Sequence, residues 1–210
     1  MSVNPGAVEG PSATAASELA PDALHRLARA YMATYHGPHG DAPGADAAIT
    51  APIDQTDEGR VLTPAQLDAH YRLGRKRRIG ETLVAVYADD DPSGIGPALQ
   101  IVTDTVSMIM DSVTVLLHRL GVAYRAIMNP IFRVRRGPNG ELLAIEPASE
   151  AAFRDGFDET WVHVQLAESV DAKSAAEAER LLPSVLADAR QVALDSTAMG
   201  ATLRLSLIHI

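Results

Sequence analysis

The clearest hydrophobic periodicity in the chain lies between Asp104 and Leu120. Apolar side chains recur there at helical spacing, which places them on one face of an α-helix. These apolar positions are Val106, Ile109, Met110, Val113, Leu116, Leu117 and Leu120. Asp104 or Thr105 is suited to the N-cap, and Gly121 is suited to a left-handed C-terminal cap. The pattern therefore predicts an amphipathic helix over residues 104–120, with its apolar face against a sheet.

Alternating or β-branched runs predict strands on both sides of this helix. The predicted strands span residues 82–88, 98–103, 122–136, 142–146 and 160–166. Pro130 predicts an interruption of the third strand, because proline cannot donate to a ladder. Asn139-Gly140 predicts a hairpin turn between the third and fourth strands. In the last strand, Val162, Val164 and Leu166 alternate with Trp161, His163 and Gln165, and we expect the aliphatic set to face the core.

Three more segments have helical patterns. Residues 22–31 carry an apolar stripe that ends near a Gly-Pro pair. A second helix is predicted to begin with Thr63 as N-cap and Pro64 in the first turn. It runs into four consecutive cations at 75–78, which we expect to form a solvated face near the helix C-terminus. Residues 172–194 predict an Ala-rich helix that is kinked or divided at Pro183.

Together these elements predict an α+β fold of the ferredoxin-like type, with an antiparallel sheet and helices on one face. Residues 1–21 are rich in Pro, Gly, Ala and Ser and predict a disordered arm. Residues 22–80 predict a helical extension with a linker, and residues 81–200 form the predicted α+β domain. Residues 201–210 differ abruptly in composition from the preceding segment, which favours a non-native tail resembling a translated sequencing adaptor. The alternative is a genuine final strand.

Composition narrows the class of function. The chain has 210 residues with 18 basic and 27 acidic side chains, a formal net charge of -9, and no cysteine. An acidic surface disfavours nucleic-acid binding, and the lack of cysteine excludes thiolate catalysis and Cys-ligated metals. The N-terminus lacks the pattern of a secretory signal, and no apolar run approaches the ~18 residues of a membrane span. We therefore expect a cytoplasmic protein with no nucleic-acid or membrane partner.

The sequence motifs that could indicate a cofactor, metal or catalytic site are incomplete. Residues 94–96 begin like a dinucleotide-binding loop, but Pro97 breaks the helix that should follow. Two histidines and an aspartate at 36–41 offer metal ligands without a completing cluster, so we expect a solvated loop. The three aspartates at 89–91 are interpreted as an acidic turn. His163 has no nucleophile or carboxylate at a recognisable spacing and is interpreted as structural. The sequence thus predicts no catalytic, cofactor or metal site in this chain.

Three arginines crowd one predicted strand and its turn. Arg133 and Arg135 lie on the same side of the pleat, and Arg136 follows at the turn. Arginine favours bidentate pairs at interfaces, so we expect these three residues to meet acidic groups of a neighbouring domain or subunit. The alternative is simple solvent exposure on an edge strand.

Four segments resemble, in amino-acid sequence and in order, the N-terminal region of the large bacterial NAD-specific glutamate dehydrogenases. The segments are Tyr71-Arg72-Leu73 with its basic tail and Gly80-Glu81; Ile101-Val102-Thr103-Asp104 continuing to Asp111-Ser112-Val113-Thr114; Asn129-Pro130-Ile131-Phe132-Arg133-Val134-Arg135-Arg136; and Glu159-Thr160-Trp161-Val162-His163-Val164. The strand at 99–104, the amphipathic helix and the strand start at 122–126 resemble the beginning of an ACT domain, a small amino-acid-sensing module. The resemblance extends from about Leu24 to Val192.

The resemblance implies a regulatory and assembly module of an enzyme that deaminates L-glutamate oxidatively with NAD. It implies that the catalytic core lies outside this chain and that the chain alone is inactive and binds no NAD. It also implies contact with the rest of the dehydrogenase chain, a homo-oligomer and an amino-acid effector. A free-standing amino-acid-binding ACT protein and a purely structural scaffold are the alternatives.

Ligand-binding ACT domains usually carry a Pro-Gly pair between the first strand and the first helix. Residues 105–108 of this chain are Thr-Val-Ser-Met and depart from that pattern. A helix N-terminus can still hold a carboxylate, so the candidate effector-binding residues are Asp104, Thr105 and Ser107. The alternative role of Asp104 is a plain N-cap.

Overall fold

The structure is a computed structural model of the chain, and it describes residues 19–36, 62–167 and 170–207, with side chains described up to residue 195. The helices are α1 Pro21–Ala33, α2 Pro64–Gly74, α3 Ile109–Arg119 and α4 Ala172–Leu207. The strands are β1 Leu83–Tyr87, β2 Ala98–Asp104, β3 Tyr124–Met128, β4 Ile131–Arg136, β5 Leu142–Pro147 and β6 Phe157–Leu166. Nearly all of the predicted arm, the linker, and residues 37–41 of the histidine loop lie outside the described residues.

The six strands of the described ranges form one antiparallel sheet in the order β1-β2-β6-β4-β5, and β3 also pairs with β6. The long strand β6 pairs with β2 along one side. Along its other side it pairs with β4 near its start and with β3 near its end. The interruption between β3 and β4 falls at Pro130, as predicted, and the Pro130 carbonyl accepts from the Trp161 N–H at 3.1 Å. This arrangement confirms the predicted α+β fold with an antiparallel sheet.

One face of the sheet is covered by α3 and α4, as predicted for the ACT-like part. The buried side chains of this first core include Leu99, Ile101, Val113, Leu117, Val162, Val164, Leu182 and Leu186. Gly121 has φ +68 and follows α3 in the predicted left-handed conformation. The predicted start of α3 is wrong. Asp104 pairs with Glu159 as the last residue of β2, so ladder pairing extends the strand, and the helix begins five residues later with Met108 as its N-cap.

The opposite face of the sheet is covered by α1 and α2, the helices of the predicted extension. Their buried side chains meet Val102, Met128, Phe132, Val134 and Trp161 in a second core. The prediction of helices on one face is therefore right for α3 and α4 but omits this second layer. Central strands that are buried on both faces carry apolar residues at successive positions, as Trp161 and Val162 do.

The ends of the helices largely follow the sequence signals. Thr63 caps α2 in a reciprocal capping box with Gln66, and Pro64 occupies the first turn. At the other end of α2, an added Cβ at Gly74 would lie 2.2 Å from Cη2 of Trp161, so the missing side chain lets the helix approach the indole. Of the two outcomes predicted at Pro183, the division into two helices is wrong, because α4 continues through the proline, and the kink stays a prediction. The alternative of a final strand after Gly200 is also wrong, because the backbone is helical to Leu207.

Candidate functional site

Two carboxylates meet where β2 and β6 run side by side. Asp104 and Glu159 are register partners on neighbouring strands. Like charges in such positions repel each other, so cations must approach both groups for the ladder to continue. The Glu159 side chain has no exposed surface, and the Asp104 side chain is 18% exposed.

Arg77 supplies the central cation. Its side chain is fully buried, and its Nη1 donates to Oε1 of Glu159 at 2.6 Å. Its Nη2 donates to Oδ1 of Asp104, and its Nε donates to the Glu81 carbonyl at 2.8 Å. One guanidinium therefore binds both carboxylates and fixes the backbone that leads into β1. The expectation that the cations at 75–78 form a solvated face is wrong for Arg77, although Arg78 is exposed.

Arg136 and Trp161 complete the environment of Glu159. Arg136 donates from Nε to Oε1 at 2.6 Å and from Nη2 to Oε2 at 2.8 Å, a bidentate arrangement. The indole Nε1 of Trp161 donates to Oε2 at 3.1 Å. Charge-assisted bonds of this kind are about twice as strong as neutral ones. Glu159 therefore accepts hydrogen bonds from Arg136 at the end of β4, from Arg77 in the segment before β1, and from Trp161 within β6.

Arg190 brings α4 to the same place. Its Nε lies 3.3 Å from Oδ2 of Asp104, and its Nη1 donates to the Gly80 carbonyl at 2.8 Å. The backbone N–H of Gly80 also donates to Oδ2 of Asp104 at 3.0 Å. We call the five side chains Arg77, Asp104, Arg136, Glu159 and Arg190 the arginine cluster. It joins β2, β4, β6, α4 and the segment before β1, and its three guanidinium groups exceed its two carboxylates by one charge.

The candidate effector residues lie beside this cluster at the start of α3. The predicted N-cap role of Asp104 and Thr105 is wrong, because Met108 is the cap residue and no side chain caps the helix. Both Asp104 oxygens contact groups of the cluster, and Thr105 Oγ1 lies 3.0 Å from Thr160 Oγ1. Ser107 is exposed. Effector binding at Asp104, Thr105 and Ser107 stays a prediction.

The arginines of β4 pair with acids of their own chain. Arg133 donates to Asp158 at 2.5 and 3.2 Å, and Arg135 donates to Asp155 at 3.1 Å. Arg136 belongs to the buried cluster. The expected contact of Arg136 with a neighbouring domain or subunit is therefore wrong, because Glu159 already neutralises it inside the domain. The edge position is wrong, since β4 lies between β5 and β6, but the Arg135 side chain is exposed, as that alternative expects. An interface role of Arg133 and Arg135 stays a prediction.

A separate polar network lies under α2 in the second core. The Tyr31 hydroxyl lies 2.8 Å from His70 Nδ1, and His70 Nε2 lies 3.1 Å from the Ile101 carbonyl. Gln100 Nε2 donates to the Gln66 carbonyl at 2.7 Å and lies 3.3 Å from His163 Nδ1. Burial lowers the pKa of His70 to about 3 and that of His163 to about 4. Both imidazoles are neutral at pH 7, and His163 has the structural setting that the sequence indicates.

The described ranges include the loop at residues 94–96 and the first histidine of the loop at residues 36–41. Residues 94–96 lie between the antiparallel strands β1 and β2, whereas a dinucleotide loop joins a strand to a helix N-terminus. That segment therefore does not fit NAD. Within the described ranges, no three His, Asp or Glu side chains are grouped to hold a metal ion. His36 hydrogen-bonds through Nδ1 to the Thr34 carbonyl at 2.7 Å. None of the described helices is long and apolar enough to cross a membrane.

Comparisons with known proteins agree with this architecture. A family model described as glutamate dehydrogenase, ACT1 domain, matches residues 54–182. That range contains four of the five cluster residues, all except Arg190. A curated protein named NAD-specific glutamate dehydrogenase, from Mycobacterium tuberculosis (strain ATCC 25618 / H37Rv), is 50% identical over 203 residues. The aligned region is 97% of this chain and 12% of that protein, so the chain spans about an eighth of the length of this relative.

Proposed function

The chain belongs to the glutamate dehydrogenase ACT1 domain family, and we propose that it is the N-terminal regulatory and assembly module of a NAD-specific glutamate dehydrogenase. The observation that carries the proposal is 50% identity along 97% of the chain to a relative of that name. The whole enzyme oxidises L-glutamate to 2-oxoglutarate and ammonia while a hydride passes to NAD. The groups that perform this chemistry belong to the rest of the enzyme, and the module alone is inactive.

The module acts through the arrangement of domains or subunits. A ligand changes such an arrangement only by binding one state more tightly than another. The arginine cluster supports this role, because it ties five segments into one body that can transmit a displacement. The exposed portions of Arg133 and Arg135 are the proposed contact points with the remainder of the dehydrogenase chain or with a second copy.

The start of α3 is the effector position that the resemblance implies. Because no side chain caps this helix, its first N–H groups have no capping acceptor. Such groups attract a carboxylate. Thr105 and Ser107 supply hydroxyl groups nearby, whereas Asp104 holds its cationic partners in the cluster and acts by positioning the loop. An effector amino acid, a homo-oligomer and a cytoplasmic location, where NAD and glutamate are supplied, complete the proposal.

Deleting the module from the whole enzyme tests this function. Three quantities are compared before and after deletion: the rate of NADH formation from glutamate, the change of that rate with each of the common amino acids, and the molecular mass of the assembly. We expect the core to keep glutamate-dependent NADH formation and to lose an amino-acid response, assembly, or both. The isolated 210-residue chain is expected to form no NADH.

The same experiment separates a sensor from a scaffold. Loss of the amino-acid response with intact assembly identifies a sensor, and failed assembly with a surviving response identifies a scaffold. An enzyme whose rate, response and mass are all unchanged by the deletion would contradict both roles.

A further inference from the structure

The long helix α4 is attached to the domain in two different ways along its length. Up to residue 186, it packs by burial, with Ala178, Leu182 and Leu186 in the first core. In residues 187–195, which we call the distal segment, none of the described side chains is buried, and those of residues 189, 190 and 193 are half-buried. Burial of apolar surface therefore holds the first part of the helix, whereas the distal segment depends on weaker contacts.

Arg190 connects the distal segment to the domain through two polar contacts. Its Nη1 donates to the Gly80 carbonyl at 2.8 Å, and its Nε lies 3.3 Å from Oδ2 of Asp104. The Gly80 N–H donates to the same Oδ2 at 3.0 Å, so the three residues form a closed ring of contacts. Gly80 has φ +86, a conformation that glycine adopts without the strain of a Cβ. The backbone before β1 is thus shaped to bind Asp104 and Arg190 together.

Of the three guanidinium groups in the arginine cluster, that of Arg190 is the least completely bonded. Arg77 hydrogen-bonds both carboxylates, and Arg136 forms two hydrogen bonds to Glu159. The Nε of Arg190 is buried but makes no hydrogen bond, so its contact with Asp104 is an ion pair only. A buried donor without a hydrogen bond is unfavourable, and salt screens an ion pair whose side chains are 20% and 18% exposed. The link through Arg190 is therefore the easiest part of the cluster to break.

Asp104 places this link beside the segment that leads into α3. Asp104 is the last residue of β2, and residues 105–108 connect it to the helix. Met108 has φ 67, in the left-handed region that is unfavourable for residues other than glycine. A rearrangement of residues 105–108 would relieve that strain. Such a rearrangement would also move the carboxylate to which Arg190 is paired.

We propose that Arg190 is a latch that couples residues 105–108 to the distal segment of α4. In the latched state, Arg190 contacts Asp104 and Gly80, and the distal segment lies against the domain. When residues 105–108 rearrange, Asp104 moves away from Arg190 and the distal segment detaches, while the first part of α4 stays packed on the core. The inference deepens the proposed function by giving the module a moving part. It rests on that function only for its regulatory consequence.

Distances between pairs of spin labels on the 210-residue chain test the latch directly. The chain contains no cysteine, so labels attach only to cysteines that are introduced. One pair uses Val115→Cys on α3 and Gln191→Cys on the distal segment, and the control pair uses Val115→Cys and Ser184→Cys on the first part of α4. All three positions are exposed. Pulsed electron resonance measures the distribution of each distance, and the fraction outside the main peak reports detachment.

Arg190→Gln should raise the detached fraction of the 115–191 pair at least about threefold, because it removes an ion pair and a charged hydrogen-bond donor. The 115–184 pair should not change. Arg180→Gln is the matched control, an exposed arginine of the same helix, and it should change neither distance. Raising the salt concentration from about 0.05 M to about 0.5 M should increase detachment in the parent chain but add nothing in Arg190→Gln.

Met108→Gly tests the coupling to residues 105–108. Glycine adopts the left-handed conformation of Met108 without strain, so this variant should favour the latched state. At high salt, its detached fraction should be smaller than that of the parent chain. An equal or larger fraction would show that the state of residues 105–108 does not control the latch, and the proposed coupling would be wrong.

Two other results would overturn the proposal. If Arg190→Gln leaves the 115–191 distribution unchanged, other contacts hold the distal segment. If the 115–184 distribution broadens as well, Arg190 supports the packing of the whole helix and is not a latch. Circular dichroism establishes that Arg190→Gln is folded; if it is not, the salt series on the parent chain still decides, since a distribution insensitive to salt contradicts the latch. Each measurement is independent of the deletion experiment, so failure of the latch and failure of the proposed function are distinguishable.

Discussion

His163 illustrates at the scale of one residue how burial decides the chemistry of a side chain. Its imidazole has no exposed surface, and its Nδ1 faces the amide of Gln100 rather than a carboxylate. Desolvation disfavours the charged form of histidine, and the pKa of His163 falls to about 4. The ring centroid of His70 lies 6.5 Å from that of His163. The pKa of His70 is lowered further, by burial and by repulsion from a charged His163. The two histidines make the fold sensitive to acid.

We therefore predict that the chain loses stability as the pH falls below about 6.5, the pKa of an unfolded histidine. Between pH 6.5 and pH 4, the unfolded state binds protons that the folded state does not, so stability rises with pH in this window. His163 alone contributes on the order of 3 kcal/mol to this difference. Urea unfolding at several pH values, followed by the fluorescence of Trp161, the only tryptophan, measures the slope.

The variant His163→Gln should flatten that slope, because glutamine does not titrate. His118→Gln is the matched control, since His118 is exposed on α3 and its loss should leave the slope unchanged. Equal slopes in the parent chain and in His163→Gln would show that the buried imidazole does not control acid stability.

At the scale of elements, the arginine cluster determines how the strands and α4 are joined. We predict that Arg77→Met lowers the free energy of unfolding by about 3 kcal/mol, because it removes buried charge-assisted hydrogen bonds to both Glu159 and Asp104 and the bond to the Glu81 carbonyl. The expected loss is at the lower end of the usual range, because Glu159 still accepts hydrogen bonds from Arg136 and Trp161. Asp104 likewise still accepts the hydrogen bond from the Gly80 N–H. Denaturant unfolding measures the change.

Arg78→Met is the control for this prediction, because it removes the neighbouring cation from an exposed side chain. Surface substitutions of this kind usually change stability by less than about 0.5 kcal/mol. Similar losses in both variants would indicate that overall charge, rather than the cluster, accounts for the effect.

Local patterns predict the elements of this fold better than they predict its cluster. The 3.6-residue period of α3 and the capping signal at Thr63 are local, and the structure confirms both elements. The run of four cations at residues 75–78 does not itself show that the Arg77 guanidinium is the buried one. The two acids that bind Arg77 lie 27 and 82 residues away along the chain, so the local sequence cannot reveal them. The start of α3 is mispredicted for a related reason, since ladder pairing with β6 keeps Asp104 in the strand.

At the scale of the whole molecule, the sheet is a central layer with helices on both sides. The alternation in β6 predicts one buried face, but α1 and α2 bury the other face as well. Periodicity within a strand cannot show this second layer, because the covering helices lie far away in sequence. The predicted division between an extension at 22–80 and a domain at 81–200 therefore separates two parts that share a core, and it can be tested by truncation.

We predict that a chain beginning at residue 81 does not fold cooperatively, whereas a chain beginning at residue 19 does. The shorter chain exposes Met128, Phe132, Val134 and Trp161, which are at most 1% exposed in the intact fold, and it also lacks Arg77. Each large apolar side chain loses roughly 1.5–3 kcal/mol when burial is lost, and the sum approaches the total stability of about 5–15 kcal/mol typical of a domain.

Thermal unfolding and binding of a hydrophobic dye distinguish the two chains. The chain from residue 81 should bind the dye and show a broad transition or none, as expected for a compact state without fixed packing. The chain from residue 19 retains every described contact and should unfold in one sharp step without dye binding. A sharp transition of the shorter chain, with Trp161 still shielded from a fluorescence quencher, would show that residues 81–210 are an independent domain and that α1 and α2 only cover it.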